Sequence, residues 1–230
     1  MDFIFETIAI VDGTVTALDL HLNRLRFQCR EVGVAPPEKK VLIDFLSKQQ
    51  LGRGHWRFKV SVGKKSTMTL EPYAPPTETS WRLCLFLKEI VNSRPYLKTS
   101  ATISRSRIKE YAHARGFDDG LTCSSEGFLL EATYANLFWH HDGAFFTPAK
   151  ELPLVWGVTL QQIEDLFPVY HVKATPEEIP PHANVYVCNS MMGLMPVSAI
   201  EKQQFPVDSE FHRRITEAYL NNRERTPIRV

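Results

Sequence analysis

Five short clusters hold residue types able to do chemistry. Lys98, in Tyr96-Leu97-Lys98-Thr99-Ser100, supplies an amine that is nucleophilic when neutral. Glu131 follows the apolar run Phe128-Leu129-Leu130, and Asn136 precedes Leu137-Phe138-Trp139. A carboxylate and an amide set among apolar residues need polar partners. Gly157-Val158-Thr159 leads into Leu160-Gln161-Gln162-Ile163, the pattern of a loop feeding a helix N-terminus. The unpaired N–H groups, positive dipole and hydroxyl of such an end suit a phosphate. Asn189-Ser190, with Gly193 after it, has the residue types of an anion-binding turn at a strand end. Arg24, set between Leu22 and Leu25, offers a two-pronged donor to a phosphate. Taken singly, each also has an ordinary explanation. These are a solvated lysine, a strand end turned to water, an N-cap, a polar turn before a methionine-rich core patch, and a solvent-facing arginine.

The elements that must position these residues follow from hydrophobic period and turn signals. Residues 3–11 read as a strand ending at the hairpin signal Asp12-Gly13. Leu18, Leu22, Leu25 and Cys29 recur at helical spacing, which predicts a helix over 18–32; a second follows over 38–47. Strands are expected over 55–62, 67–72 and 82–90, with a Pro- and Thr-rich loop over 73–80. Beyond 93–97, read as a linker, the pattern restarts. Helices are expected over 105–115, 158–166 and 211–221, and strands over 169–173 and 185–188, with turns at Ser125-Glu126-Gly127 and Asp142-Gly143. The class is α+β, in two halves of residues 1–92 and 98–230, and a cleft between halves is the default ligand site.

Bulk properties exclude several functions. The 230 residues are 43% hydrophobic and 23% charged, an ordinary globular composition. A formal net charge of +1 gives no global field toward nucleic acid or an anionic membrane, so any anion site must be local. No apolar stretch approaches the roughly 20 residues of a membrane helix. The four cysteines show no Cys-x-x-Cys pairing, which leaves no zinc or redox motif. Scattered cysteines and no visible signal peptide point to a cytoplasmic setting.

Together, in order along nearly the whole chain, these pieces resemble the fold type IV pyridoxal-phosphate enzymes. That family includes branched-chain and D-amino acid aminotransferases and 4-amino-4-deoxychorismate lyases. Phe5-Glu6-Thr7 with Asp12-Gly13, and His21-Leu22 with Arg24-Leu25, are similar to its N-terminal signature. Lys98 precedes Ala114-Arg115-Gly116-Phe117-Asp118-Asp119 at the spacing of the family's Schiff-base lysine. Glu131 with Asn136-Leu137-Phe138, Thr147-Pro148, Gly157-Val158-Thr159, and Asn189-Ser190 with Pro196-Val197 complete the pattern.

The resemblance implies a small N-terminal domain and a larger pseudo-barrel domain that begins at Lys98 and carries it. It implies pyridoxal 5'-phosphate bonded to Lys98, which also shuttles protons. It implies Glu131 against the pyridine nitrogen, with Asn136 as its support. Arg24, the Val158 and Thr159 amides, the Thr159 hydroxyl and Ser190 would hold the phosphate. A small-molecule substrate and a homodimer are implied, with no nucleic-acid or membrane partner. Asn189-Ser190-Met191-Met192-Gly193-Leu194-Met195-Pro196-Val197 resembles the lyase pattern, and Ile103 stands where branched-chain aminotransferases have tyrosine. The expected reaction is therefore conversion of 4-amino-4-deoxychorismate to 4-aminobenzoate and pyruvate. The alternative is an aminotransferase acting on a D- or branched-chain amino acid. Arg105 and Arg107 are candidates for a substrate carboxylate, or else belong to a solvated helix face.

Overall fold

Asp12 and Gly13 both take positive φ, 48° and 73°, as a two-residue hairpin turn of the primed kind requires. They fold β1 (Ile4–Val11) onto β2 (Thr14–Thr16). The computed structural model in which this is seen describes residues 3–87, 94–100 and 103–227. It divides into two compact units. One comprises Met1–Pro76, Leu97–Ala101 and Arg223–Val230; the other comprises Thr77–Tyr96 and Thr102–Asn222.

The smaller unit is a sheet in the order β14-β2-β1-β3-β4, with β3 at His55–Val62, β4 at Ser66–Pro72 and β14 at Arg225–Pro227. Two helices accompany it, α1 (Leu18–Val32) and α2 (Lys39–Ser47). Gly33, at φ 71°, ends α1 in the left-handed conformation that glycine adopts without strain. Leu18, Leu22, Leu25 and Cys29 of α1 pack with Ile4, Ile8 and Ile10 of β1 in one core. Strand alternation puts Glu6 on the same face as those isoleucines, so a carboxylate enters this core fully buried. The start of α1 is tied to the far end of the described chain. The backbone N–H of Ala17 donates to the Glu224 carbonyl at 2.9 Å, and that of Asp19 to the Glu224 carboxylate at 3.1 Å.

The larger unit holds β5 (Trp81–Phe86), α3 (Ile103–Ala114), β6 (Asp119–Cys123), β7 (Leu129–Ala132), β8 (Asn136–His141), β9 (Ala144–Pro148) and α4 (Val158–Leu166). It continues with β10 (Val169–Val172), β11 (Asn184–Asn189), β12 (Gly193–Ile200), β13 (Gln203–Gln204) and α5 (Ser209–Asn222). Its strands run β10-β9-β8-β11-β12-β5-β6-β7, and β7 pairs back onto β8. That last pairing closes β8-β11-β12-β5-β6-β7 into a barrel whose seam is the single residue pair Glu131 and Asn136. Leu83, Leu121, Leu137, Val185, Val187 and Val197 are among the residues filling it.

The α+β class and the barrel agree with expectation, but the domain boundaries at 92 and 98 are corrected. β5 hydrogen-bonds β6 and β12 in parallel, so it belongs to the larger unit. Lys98 belongs to the smaller unit, because its segment bridges β1 at the Ile4–Thr99 pair and Leu97 is buried in the smaller core. In the reading of 93–97 as a linker, Ser93 lies outside the described residues, as do residues 88–90 of the expected 82–90 strand. Among the described residues no helix is long and apolar enough to cross a membrane.

Candidate active site

In the smaller unit the chemistry centres on Glu6. Residues three and four apart on a helix share a face, so α1 presents His21, Arg24 and Gln28 together toward β1. Arg24 Nε donates to Glu6 Oε1 at 2.7 Å and Nη2 donates to Oε2 at 2.6 Å, a two-pronged ion pair. His21 Nδ1 lies 2.8 Å from Glu6 Oε2, and Gln28 Nε2 donates to Oε1 at 3.3 Å. Burial alone would raise the Glu6 pKa, but the charge and hydrogen bonds of Arg24, helped by His21, hold it down at about 2. Burial pushes His21 below its ordinary value, against the pull of Glu6. Neutral His21 then donates from Nδ1 to the carboxylate, and its Nε2 is buried with no hydrogen-bond partner among the described residues.

Lys98 is half-buried in the same unit. Its carbonyl accepts from Phe5 N–H at 3.0 Å and its N–H donates to Gln28 Oε1 at 2.6 Å. Its amine lies 4.7 Å from the centroid of the Phe5 ring, and the Lys59 amine lies 4.6 Å from the same centroid.

The larger unit gathers the remaining expected residues at one end of its barrel. Glu131 and Asn136 face each other across the seam, and Asn136 also pairs with Cys188 at the end of β11. The Asn136 side chain donates from Nδ2 to the Val155 carbonyl at 2.8 Å. Its Oδ1 would lie only 1.9 Å from a Cβ at position 157, so any larger residue there would displace the Asn136 amide. Asn136 thus holds the turn that starts α4. Gly157 is the N-cap of that helix and gives it no side-chain cap; Val158 and Thr159 open its first turn. The Thr159 hydroxyl is buried without a hydrogen-bond partner among the described residues. An orphaned hydroxyl beside free helix-end N–H groups fits a phosphate monoester. Ser190 lies in the turn between β11 and β12. Asn189 shapes that turn, with Oδ1 accepting from the Met191 and Met192 N–H groups, both at 2.9 Å. Its Nδ2 donates to the Tyr134 carbonyl at 3.1 Å, which ties the turn to the residues between Glu131 and Asn136.

Comparison with known proteins gives this arrangement a place. Residues 3–200 match the model of the amino-transferase class IV family. The chain belongs to that family. Over 97 residues it is 31% identical to an aminodeoxychorismate lyase of Vibrio harveyi, a match covering 40% of this chain and 36% of the lyase. The matched stretch is therefore little more than a third of that relative's length. A Legionella pneumophila protein provisionally named a 4-amino-4-deoxychorismate lyase superposes with a TM-score of 0.81 at 22% identity, covering 95% of this chain and 90% of that one. A branched-chain amino acid aminotransferase from Thermobaculum terrenum in its PLP form superposes with a TM-score of 0.82 at 16% identity, covering 95% and 84%. At these identities the two structures establish the fold type IV architecture alone.

Sequence did not reveal the partners of three residues: Glu6 and Gln28 in the smaller unit, and Arg105, a candidate for a substrate carboxylate or part of a solvated face, in the larger. Glu6 was part of the recognised signature, and the signal for its role was a charged residue on the apolar face of an alternating strand. Gln28 carried no signal beyond its helical register with Arg24. Arg105 is not part of a solvated face, whereas Arg107 is exposed. Arg105 Nη2 donates to Glu131 Oε1 at 2.7 Å, and Nη1 donates to the Thr133 carbonyl at 2.6 Å. Glu131 raises the Arg105 pKa, against the effect of burial. Arg105→Ala would strand a largely buried carboxylate. With the arginine side chain 25% exposed and that of Glu131 10%, the expected cost is about 2 kcal/mol, below the range for a fully buried pair. Denaturant unfolding measures it, and a cost near zero would show that water replaces the guanidinium.

Proposed function

We propose that the chain is a pyridoxal 5'-phosphate-dependent lyase converting 4-amino-4-deoxychorismate to 4-aminobenzoate and pyruvate. The observation that carries the reading is the convergence at one barrel end of a carboxylate, a helix N-terminus with an unpartnered hydroxyl, and the Asn189 turn. The preference for a lyase comes from the Asn189-to-Val197 segment and from the match to the Vibrio harveyi enzyme.

Lys98 is the residue proposed to bind the cofactor covalently. Arg24, the Val158 and Thr159 N–H groups, the Thr159 hydroxyl and Ser190 are proposed to hold its phosphate. Glu131 is proposed to accept from the pyridine nitrogen, with Asn136 in support. When bound, the cofactor supplies an electron sink for the carbon that bears the substrate's amine. The Lys98 amine takes the proton from that carbon. The ether oxygen leaves with the enolpyruvyl group, which picks up a proton to become pyruvate, and the ring becomes aromatic. Substrate and products balance without water or a second amino acceptor. A homodimer is proposed on the family resemblance alone.

The test supplies aminodeoxychorismate to purified protein and measures pyruvate and 4-aminobenzoate. Pyruvate no higher than in a Lys98→Ala control would end the lyase reading. An amino-acid panel without acceptor tests the aminotransferase alternative, since only a transaminase converts the bound cofactor to its amine form. Glu131→Gln is expected to lower turnover about 100-fold while changing cofactor affinity less than tenfold, because a neutral amide cannot stabilise charge on the ring nitrogen. Steady-state rates and equilibrium binding measure the two quantities; an unchanged rate would remove this role from Glu131.

A further inference from the structure

We propose that Gln28 is a positioning residue that links the cofactor-bearing lysine to the phosphate-directed arginine through Glu6, an inference that rests on the roles proposed for Lys98 and Arg24. The path is continuous within the smaller unit. Arg24 Nε and Gln28 Nε2 both donate to Glu6 Oε1, at 2.7 and 3.3 Å. Gln28 Oε1 then accepts the Lys98 N–H at 2.6 Å.

The orientation of the Gln28 amide follows from its neighbours. A carboxylate only accepts, so the NH2 end must face Glu6 and the carbonyl end must face Lys98. Among the described residues, the segment carrying Lys98 forms one bridged pair with β1, Ile4 with Thr99. Two backbone bonds flank that bridge, Phe5 N–H to the Lys98 carbonyl at 3.0 Å and Ser100 N–H to the Phe3 carbonyl at 2.9 Å. Neither of these bonds uses the Lys98 N–H. Gln28, reaching from α1, supplies its acceptor. Lys98 is thereby held from two directions, by the strand it bridges and by the helix that carries Arg24. Gln28 is itself 1% exposed, so no water takes its place at the Lys98 amide without repacking.

Gln28→Met keeps most of the volume and removes both bonds. Arg24 keeps its pair with Glu6, because those contacts do not pass through Gln28. The expected result has three parts. In the apo-protein, hydrogen exchange at the Lys98 amide speeds up about tenfold, while the Phe5 and Ser100 amides hold within about twofold. The rate of covalent attachment of pyridoxal phosphate falls about tenfold. Affinity for pyridoxamine phosphate, which cannot bond to Lys98, changes less than about threefold.

An unchanged Lys98 amide overturns the proposal. So does equal acceleration of all three amides, which would make Gln28 a general packing residue. Borohydride trapping and peptide mapping on the parent protein test the underlying reading separately. If the label falls elsewhere than Lys98, that reading fails whatever the variant does. If Gln28→Met does not fold, Gln28→Glu keeps an acceptor for Lys98 but sets a carboxylate against Glu6. That variant should keep the Lys98 amide protected and bind pyridoxamine phosphate more weakly; loss of the protection overturns the proposal.

Discussion

Lys98→Ala is expected to leave a folded protein that shows no visible absorption from a lysine-bound cofactor and turns over at least about 1,000-fold more slowly. Folding should survive because two bonds of position 98 come from its backbone and outlast the side chain: the carbonyl accepts from Phe5 and the N–H donates to Gln28. The side chain contributes an amine near the Phe5 ring. Its removal takes away both the covalent attachment and the base that moves the substrate proton. Pyridoxamine phosphate should still bind, since the residues proposed to hold the phosphate are untouched. Absorption spectra, borohydride reduction and steady-state rates together check this outcome. Retention of a reducible visible band in the variant would place the reactive amine on another residue.

Arg24→Ala is the second large effect, and its main readout needs no cofactor. Glu6 is fully buried, and Arg24 gives it two hydrogen bonds and its main counter-charge. Removing one partner of such a pair costs about 3–5 kcal/mol near neutral pH. The pH dependence carries a sign. In the parent protein the Glu6 pKa lies at about 2 against an ordinary value of 4.5. A depressed folded value gives stability that is fully present above 4.5 and lost as the pH falls toward 2, worth about 3 kcal/mol in all. His21, held neutral by burial, also favours the unfolded chain once the pH falls below its ordinary 6.5. Without Arg24, burial dominates at Glu6 and its folded pKa rises above the unfolded one. Protonation then favours the folded state, so the deficit of the variant should shrink as the medium is acidified. Denaturant unfolding of both proteins across a pH series measures this. A deficit below about 1 kcal/mol, or one independent of pH, would contradict the account of Glu6 as a buried, arginine-held carboxylate.

Much of the local structure was legible because local signals suffice for it. The leucine spacing set the limits of α1, and the Gly157 turn set the start of α4. The two Asp-Gly pairs gave hairpin turns because both residues accept positive φ. Resemblance then supplied Glu131, Asn136, Val158, Thr159 and Ser190, and the larger unit gathers all five at one barrel end. What was hidden depends on partners far away in the chain. Alternation says which face of β1 Glu6 occupies but not that α1 lies over it with Arg24, His21 and Gln28. β5 has an ordinary strand pattern, and only its pairing with β6 and β12 assigns it to the larger unit. Leu97 looked like the end of a linker and Lys98 like the start of the larger domain, because an isolated bridged pair leaves no periodic trace. Arg105 looked solvated because helix α3 has a weak apolar pattern, and its partner Glu131 is 26 residues away.

The Glu224 contacts at the head of α1 carry a consequence for biosynthesis. The helix bearing His21, Arg24 and Gln28 is made early, yet its first turn is completed by a residue about 200 positions later. On the ribosome, a nascent chain would carry this helix without its finished anchor until Glu224 had emerged. Clipping the segment from 223 onward after synthesis should therefore loosen the arginine-bearing helix while leaving the barrel's own strand pairing intact.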